Sequence, residues 1–155
     1  MRMRSLGSCV LACGAFIISC SQLPTTPDDL LVNFRITPAT ARPGDTLEAE
    51  LVITNPTDRR VTLSSGSSCV ATLQALKDDQ RVDLEGTAFG CLTVVSYFQI
   101  EPHQRLVRAF SLVAMLGNTK PPWGYTDRPP SGVYRIEARM QVGLTDRAAN
   151  LQIVE

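Results

Sequence analysis

Apolar and polar residues alternate along most of this chain, and the alternation restricts the possible folds more than any other feature. Over residues 46–54 the apolar positions are Leu47, Ala49, Leu51 and Ile53, and the polar positions are Glu48, Glu50 and Thr54. A period of two places successive side chains on opposite faces of a β-strand, so one face would meet a core and the other water. No stretch of about eleven residues or more keeps a helical period, which argues against an α-helical fold.

The alternation recurs at regular intervals, with turn residues between the repeats. We predict strands over residues 31–37, 46–54, 60–64, 69–77, 80–84, 91–100, 105–115, 132–142 and 148–154. The strand after Gly132 carries Tyr134, Ile136, Ala138, Met140 and Val142 inward and Arg135, Glu137 and Arg139 outward. Over residues 105–115 two apolar sets compete, which predicts a strand buried on both faces or a β-bulge. Short strands spaced by about eight to twelve residues are typical of sandwiches, so the sequence predicts an all-β, immunoglobulin-like β-sandwich of about eight antiparallel strands over residues 31–155.

The N-terminal residues differ in character from the rest of the chain. Two arginines precede an apolar run over residues 6–18, which is short for a membrane span and typical of a signal peptide. The run ends in Ile17-Ile18-Ser19-Cys20, which resembles the lipobox of bacterial lipoproteins. The resemblance implies a signal peptide over residues 1–19, an acylated Cys20 and a lipidated tether over residues 20–30.

This resemblance also implies where the protein resides. It places the chain in the cell envelope, held to a membrane by its N-terminal lipid. Ser21 follows the cysteine where an aspartate could stand, which implies the outer membrane, facing the periplasm, if the organism has one. The alternative is an ordinary secretory peptide with a chance cysteine near its cleavage site.

The remaining cysteines predict a disulfide. Cys9 and Cys13 fall in the predicted signal peptide and Cys20 is assigned to lipid attachment, which leaves Cys69 and Cys91. An exported protein holds such a pair in an oxidising compartment, so we predict a Cys69–Cys91 disulfide, with two free buried thiols as the alternative. Neither cysteine lies in a CxxC motif and the chain has one histidine, so we predict no metal site and no cofactor.

Charge and motif content argue against several classes of function. The chain carries 15 basic and 15 acidic residues, and the basic ones are scattered, so we predict no nucleic-acid binding. The serine cluster at residues 64–68 lacks the G-x-S-x-G spacing of a nucleophile elbow. The neighbouring carboxylates of Asp78 and Asp79 suit a hairpin turn better than an acid–base pair. With no nucleophile, acid and base in a recognisable arrangement, we predict a protein that is not an enzyme.

One segment has the composition of a binding loop. Residues 117–130 form a predicted loop that is long for a connection between strands, and four prolines stiffen it. It contains Lys120, Trp123, Tyr125 and Arg128, and aromatic and arginine side chains are the usual hot spots of protein interfaces. Two interpretations stay open: a contact surface for a protein partner, or a loop that folds back so that Trp123 covers one end of the sandwich.

Three sequence segments resemble the BsuPI-type domain, a family named after a bacterial intracellular proteinase inhibitor. They are Leu51-Val52-Ile53-Thr54-Asn55-Pro56-Thr57-Asp58 with Val61-Thr62-Leu63, then Ile100-Glu101-Pro102, and Pro130-Ser131-Gly132-Val133-Tyr134-Arg135. The resemblance covers about residues 33–142, and it implies an immunoglobulin-like fold and protease inhibition. The chain departs from the family pattern near His103, where a turn glycine is expected.

The function that the sequence favours is a non-enzymatic envelope lipoprotein whose sandwich binds another protein, with residues 117–130 as the contact. Two alternatives stay open. The first is a BsuPI-like protease inhibitor, and the second is a structural subunit whose sheet edges pair with a larger envelope complex.

Overall fold

A computed structural model describes residues 29–118 and 124–155 of the chain. Within them the chain forms strands joined by turns and loops. In chain order the strands are β1 (Leu31–Thr37), β2 (Thr40–Ala41), β3 (Thr46–Thr54), β4 (Val61–Ser65), β5 (Ala71–Lys77), β6 (Gln80–Val82), β7 (Ser96–Ile100), β8 (Arg105–Val113), β9 (Leu116–Asn118), β10 (Gly124–Asp127), β11 (Gly132–Met140) and β12 (Arg147–Ile153). In this described part, no helix has the length and apolar character needed to cross a bilayer.

The strands form two facing sheets and two smaller ribbons. One sheet has three strands in the order β1-β3-β8, and the other has five in the order β2-β12-β11-β5-β6. The ribbons are β4-β7 and β9-β10. Every pair is antiparallel except β2 with β12. The predicted all-β, immunoglobulin-like sandwich is therefore confirmed. The nine predicted strands correspond to β1, β3, β4, β5, β6, β7, β8, β11 and β12.

The core lies between the two sheets and is built by the alternation seen in the sequence. The inward residues Leu47, Ala49, Leu51 and Ile53 of β3 are at most 2% exposed. On the opposite sheet, Tyr134, Ile136 and Ala138 of β11 are fully buried. Each buried Leu or Ile contributes roughly 1.5–3 kcal/mol relative to an exposed one, so these two central strands carry much of the packing energy.

Tyr134 makes the corner contact that is characteristic of immunoglobulin-like sandwiches. Its hydroxyl donates a hydrogen bond to the carbonyl of Pro130, four residues upstream, at 2.9 Å. Such a tyrosine sits near the start of the strand that follows the crossover between sheets, and it ties that crossover to the core. The disulfide, by contrast, does not bridge the two central strands as in antibody domains, because neither β3 nor β11 contains a cysteine.

Strand β8 resolves the ambiguity in its sequence. Its pairing with β3 runs without a break from Thr46 opposite Val113 to Thr54 opposite Arg105, so there is no bulge. Nor is the strand buried on both faces, because Val107 is 44% exposed. The two competing apolar sets divide between the faces: Leu106, Phe110 and Leu112 face inward, while Val107 and Ala109 face water.

Glu137 faces away from the core, as predicted, but it is buried. Its carboxylate lies 2.6 Å from a guanidinium nitrogen of Arg135 and 3.3 Å from one of Arg139. Arg139 also pairs with Asp146 at 2.9 Å. The two arginine side chains cover the carboxylate, so a charged residue on the wet face of a sheet can be 7% exposed without entering the core.

The two ends of the sandwich differ, and we call them the proximal end and the distal end. The proximal end is where the first strand starts, since Leu31 pairs with Thr54 at the end of β3. Arg147 of β12 reaches the same end, because its Nε donates to the carbonyl of Val32 at 3.2 Å. The end of β11 and the start of β5 also lie there, with Met140 opposite Ala71. The distal end holds the other termini of these strands: Thr37, Thr46, Val113, Gly132 and Ile153.

Candidate binding surfaces

The described residues contain only part of the predicted site. Cys20, Lys120 and Trp123 lie outside them. Cys69, Cys91, Tyr125 and Arg128 lie within them, and the two cysteines are joined by the predicted disulfide, with Cα atoms 5.7 Å apart. In the described part of the chain, no group of three or more His, Cys, Asp and Glu residues could hold a metal ion.

The disulfide and the serine cluster brace one segment at the proximal end. Cys69 precedes β5 and Cys91 belongs to the loop before β7. Next to the disulfide, Ser68 N–H donates to the carbonyl of Leu92 at 2.9 Å, and Leu92 N–H donates to Ser68 Oγ at 2.9 Å. Two further serine hydroxyls accept backbone N–H groups within the turn, Ser65 from Ser67 and Ser67 from Cys69. The cluster therefore has a structural role that its sequence did not reveal.

The segment from Cys91 to β7 differs from the prediction. The sequence predicts a strand over residues 91–100, but only Ser96–Ile100 is a strand, and residues 91–95 form an extended loop. The reason is that this loop bonds Ser68 through one residue, Leu92, and has no continuous partner strand among residues 29–118 and 124–155. Its composition fits a strand, but no sheet in those residues pairs with it.

This segment exposes a set of large apolar side chains, which we call the apolar patch. Its members are Leu92, Val94, Val95 and Tyr97, which are 73%, 47%, 65% and 69% exposed. The sequence predicts a strand over these residues and does not reveal the exposure of their side chains. The sequence shows only that the region is uncharged: no Asp, Glu, Lys, Arg or His occurs between Gly86 and Ile100, or between Val61 and Leu76 in the elements beside it, and a buried strand would have the same composition.

Charged residues near the patch are concentrated in the turns that lead into β4 and β8, and they are paired. Arg60 Nε lies 2.7 Å from a carboxylate oxygen of Glu101, and His103 Nε2 lies 2.8 Å from one of Asp58. His103 occupies the left-handed region with φ 57°, at the turn where the family resemblance expects a glycine. The proximal end thus combines an uncharged segment with turns in which Arg60 and His103 each lie against a carboxylate.

The predicted binding loop is not a loop throughout, which corrects the sequence interpretation. Residues 116–118 and 124–127 form the two-stranded hairpin β9-β10. It lies at the distal end, since β9 follows Val113 and β10 precedes Gly132 along the chain. Asp83 holds it in place: its carbonyl accepts a hydrogen bond from Gly117 N–H at 2.7 Å, and its carboxylate accepts one from the Tyr125 hydroxyl at 3.3 Å. A side chain at position 117 would collide with the Asp83 carboxylate, so glycine permits this close approach.

Tyr125 and Arg128 therefore differ in how available they are. Tyr125 is half-buried, and desolvation together with the Asp83 carboxylate raises the pKa of its hydroxyl. Arg128 is exposed and lines an open groove with Arg42 and Glu155. Tyr125 thus helps to fix the hairpin, while Arg128 stays accessible to a partner.

Comparison with known proteins shows no family and only distant structural likenesses. No family model matches the chain, and no curated protein matches it. Among solved structures, a β-glucosidase from Erythrobacter marinus is similar over 81% of this chain at 13% identity, with a TM-score of 0.48. The chain spans 15% of the length of that glucosidase.

Two other solved structures show likeness at the same level. An alkylpurine DNA glycosylase from Pseudomonas fluorescens matches 82% of this chain and 31% of its own, at 8% identity and a TM-score of 0.47. A CARDB domain from Pyrococcus furiosus matches 81% of this chain and 94% of its own, at 15% identity and a TM-score of 0.42.

Proposed function

We propose that this protein is a lipid-anchored β-sandwich of the cell envelope that is not an enzyme and binds another protein through its distal end. The observation that carries the proposal is the position of the β9-β10 hairpin. The hairpin lies at the distal end, because β9 begins three residues after Val113, which pairs with Thr46 there. Leu31, where the segment from Cys20 joins the domain, lies at the opposite end. An anchor at the proximal end would leave the hairpin facing away from the membrane.

The hairpin combines a fixed base with side chains suited to a protein interface. Asp83 holds both of its strands through Gly117 and Tyr125. Prolines between the two strands and just after β10 limit the backbone entropy that binding would remove. Trp123, Lys120 and Arg128 supply the aromatic and cationic groups that the partner would contact.

The test is recovery of a partner from the native envelope with intact lipoprotein as bait. We expect the Trp123→Ala/Arg128→Ala double variant to retain less than about a tenth of the partner, because truncating two hot-spot residues commonly removes about 2 kcal/mol or more of binding energy. Arg81→Ala is the matched control, because it removes an exposed arginine from β6 and should leave recovery unchanged. Equal recovery with the double variant would exclude the hairpin as the contact.

The anchor is tested separately by intact mass. Acylation of Cys20 predicts a mature chain that begins at this residue and carries the mass of its acyl chains. A mature chain of unmodified mass, or one that is released from membranes by salt alone, would contradict the lipid anchor without affecting the hairpin test.

Protease inhibition is a second candidate, and the bracing of Leu92 favours it. This side chain is exposed, while its N–H and carbonyl are both held by Ser68 beside a disulfide. A protease that cleaved after Leu92 would not release the two new ends: the disulfide and the Ser68 bonds hold the end at Leu92, and the pairing of β7 with β4 holds the segment that begins at Thr93. We expect stoichiometric inhibition of an endopeptidase that accepts leucine, and loss of inhibition in Leu92→Asp. No inhibition across serine, cysteine and metalloprotease panels would rule this candidate out.

A further inference from the structure

The apolar patch is exposed although its backbone is held in place. Leu92 is fixed by two hydrogen bonds to Ser68 and by the adjacent disulfide. Tyr97 is fixed by the pairing of β7 with β4, where it lies opposite Ser64. Since the backbone is ordered by these contacts, the exposure of the side chains does not come from a loose segment. Rigid and exposed apolar side chains in one segment mark a contact surface.

The charge distribution restricts what this surface can contact. Neither the patch nor the neighbouring residues 61–76 contain an acidic or basic side chain. In the nearby turns, Arg60 lies against Glu101 and His103 against Asp58, and the exposed Arg105 lies at the same end, opposite Thr54. These groups lie outside the patch, which has no charged side chain of its own and therefore matches an apolar or zwitterionic layer.

The position of the patch adds a second restriction. A continuous set of contacts links it to the start of β1: Leu92 bonds Ser68, Val70 accepts from Gln141 just beyond β11, and Arg147 of β12 bonds Val32. The patch and Leu31 therefore lie at the same end of the sandwich. Cys20 precedes Leu30 by ten residues, a length that spans at most about 35 Å when fully extended.

We propose that the apolar patch docks the proximal end of the domain onto the lipid surface that holds the anchor. This inference rests on the proposed acylation of Cys20, which would keep the patch at high local concentration beside the bilayer. Leu92 and Val95 enter the boundary between headgroups and acyl chains. Tyr97 lies at the same boundary, with its ring toward the chains and its hydroxyl toward water. Docking fixes the orientation of the domain and directs the hairpin away from the membrane.

Contact with lipid can be measured by tryptophan quenching in the full-length lipoprotein. In a Trp123→Phe background, the Val95→Trp variant places one tryptophan in the patch. The matched control is Val133→Trp, because Val133 is 53% exposed and lies beside Gly132 at the distal end. Each protein is reconstituted in phosphatidylcholine vesicles with brominated acyl chains, which quench tryptophan only at short range.

We expect at least about threefold stronger quenching for Val95→Trp than for Val133→Trp, because interfacial side chains enter about 5–10 Å into the headgroup and acyl boundary. Adding Leu92→Ser to the Val95→Trp protein should reduce the difference, since it removes the most exposed apolar side chain of the patch. Raising the salt from about 0.05 M to about 0.5 M should leave the quenching unchanged, because screening acts on charges that the patch does not contain.

Three outcomes would overturn the proposal. The first is equal quenching at the two positions in a protein whose Cys20 is acylated. The second is quenching that requires anionic lipid and disappears with salt. The third is a native envelope in which a photocrosslinker at position 95 captures a protein and no lipid. If Cys20 carries no acyl chain, the proposed anchor fails, and quenching of the unacylated protein added to the same vesicles still decides whether the patch binds lipid.

Discussion

At the scale of single residues, Asn55 connects the end of β3 to the turn after β7. It is fully buried, and its side-chain amide donates to the carbonyls of Arg59 at 2.7 Å, Ile100 at 3.0 Å and Glu101 at 3.1 Å. Its Oδ1 accepts from both the N–H and the hydroxyl of Thr57. One side chain thus satisfies backbone groups of two turns that would otherwise be buried without partners.

We expect Asn55→Ala to lower the free energy of unfolding by about 2–4 kcal/mol, because it leaves several buried carbonyls unsatisfied. Asn55→Asp should be at least as damaging near neutral pH, since it replaces the donor amide with a carboxylate that faces carbonyl oxygens. Urea unfolding measures both. Thr57→Ala is the control: it removes one partly exposed hydroxyl and should lower stability by less than about 1 kcal/mol. Similar losses for all three variants would show that Asn55 is not the organising residue.

Tyr134 predicts a dependence of stability on alkaline pH. Burial raises the pKa of its hydroxyl above the usual 10.0, and the nearby Asp78 carboxylate adds to the effect, while the ammonium of Lys77 lies 5.0 Å from the ring centre. Because the folded state holds the proton more tightly than the unfolded state, this contribution is complete below pH 10.0 and is lost as the pH rises above it.

Tyr134→Phe should therefore lower stability near neutral pH but reduce the loss of stability at alkaline pH. Near neutral pH it should lower the free energy of unfolding by about 1 kcal/mol, because the bond to Pro130 is lost. Above the ordinary tyrosine pKa, the variant should lose less stability with each further rise in pH than the wild type does. Urea midpoints from about pH 7 to about pH 11 measure both effects. If Tyr134→Phe and the wild type lose stability equally with rising alkaline pH, a group other than Tyr134 causes that loss.

At the scale of elements, β8 forms an edge of its sheet and carries a residue that protects the edge. In the described part of the chain, β8 pairs with β3 alone. Arg108 lies opposite the buried Leu51, on the inward face, and its Nη1 donates to the carbonyl of Val107 at 3.0 Å. A charge that points inward at an edge opposes pairing with another strand, because that pairing would bury it. This contact disfavours edge pairing through β8.

Replacing Arg108 with Val should expose a continuous apolar edge and produce dimers or larger species. Light scattering coupled to size-exclusion chromatography measures the change. Arg105→Val removes the same charge from the outer face of the same strand, so this variant should keep the oligomeric state of the wild type. If both variants stay unchanged, or both associate, net charge or another element controls association rather than the inward arginine.

An element is predicted well from the sequence when its own residue pattern determines it, and poorly when it depends on contacts with residues far away in the chain. Strand β3 is predicted at its correct bounds because its alternation reflects one dry face and one wet face along its full length. The hairpin β9-β10 was missed because it is short and depends on Asp83, which is far from it in sequence. Residues 91–95 have strand-like composition without a strand to pair with, and no local signal distinguishes that case from a buried strand.

At the scale of the whole molecule, the parts of the site that follow from the sequence alone were predictable, and the parts that depend on long-range packing were not. The Cys69–Cys91 pairing followed from counting cysteines, and it is confirmed. The apolar patch did not follow, because exposure is set by what packs above a segment and not by its composition. The uncharged run around it was visible in the sequence, but a buried strand and an exposed contact surface share that signature.

The disulfide links the stability of the whole molecule to the order of the patch. It closes a loop with a sequence separation of 22 residues, so removing it should lower the free energy of unfolding by about 3 kcal/mol on the chain-entropy account. The Cys69→Ser/Cys91→Ser variant tests this without leaving a free thiol. The hydrogen bonds between Ser68 and Leu92 should weaken with it, because the disulfide positions both segments.

Hydrogen exchange separates the local effect of this variant from the global one. Under native conditions, exchange at residues 91–95 should increase more than exchange in β3 and β11, whose pairing does not involve the disulfide. Ser67→Ala is the matched control, because it removes one bond within the turn, to Cys69 N–H, and keeps the disulfide. If exchange increases uniformly across the sandwich, the disulfide stabilises the fold as a whole and does not specifically hold the patch in place. A rigid patch would then have to derive its order from β7 alone.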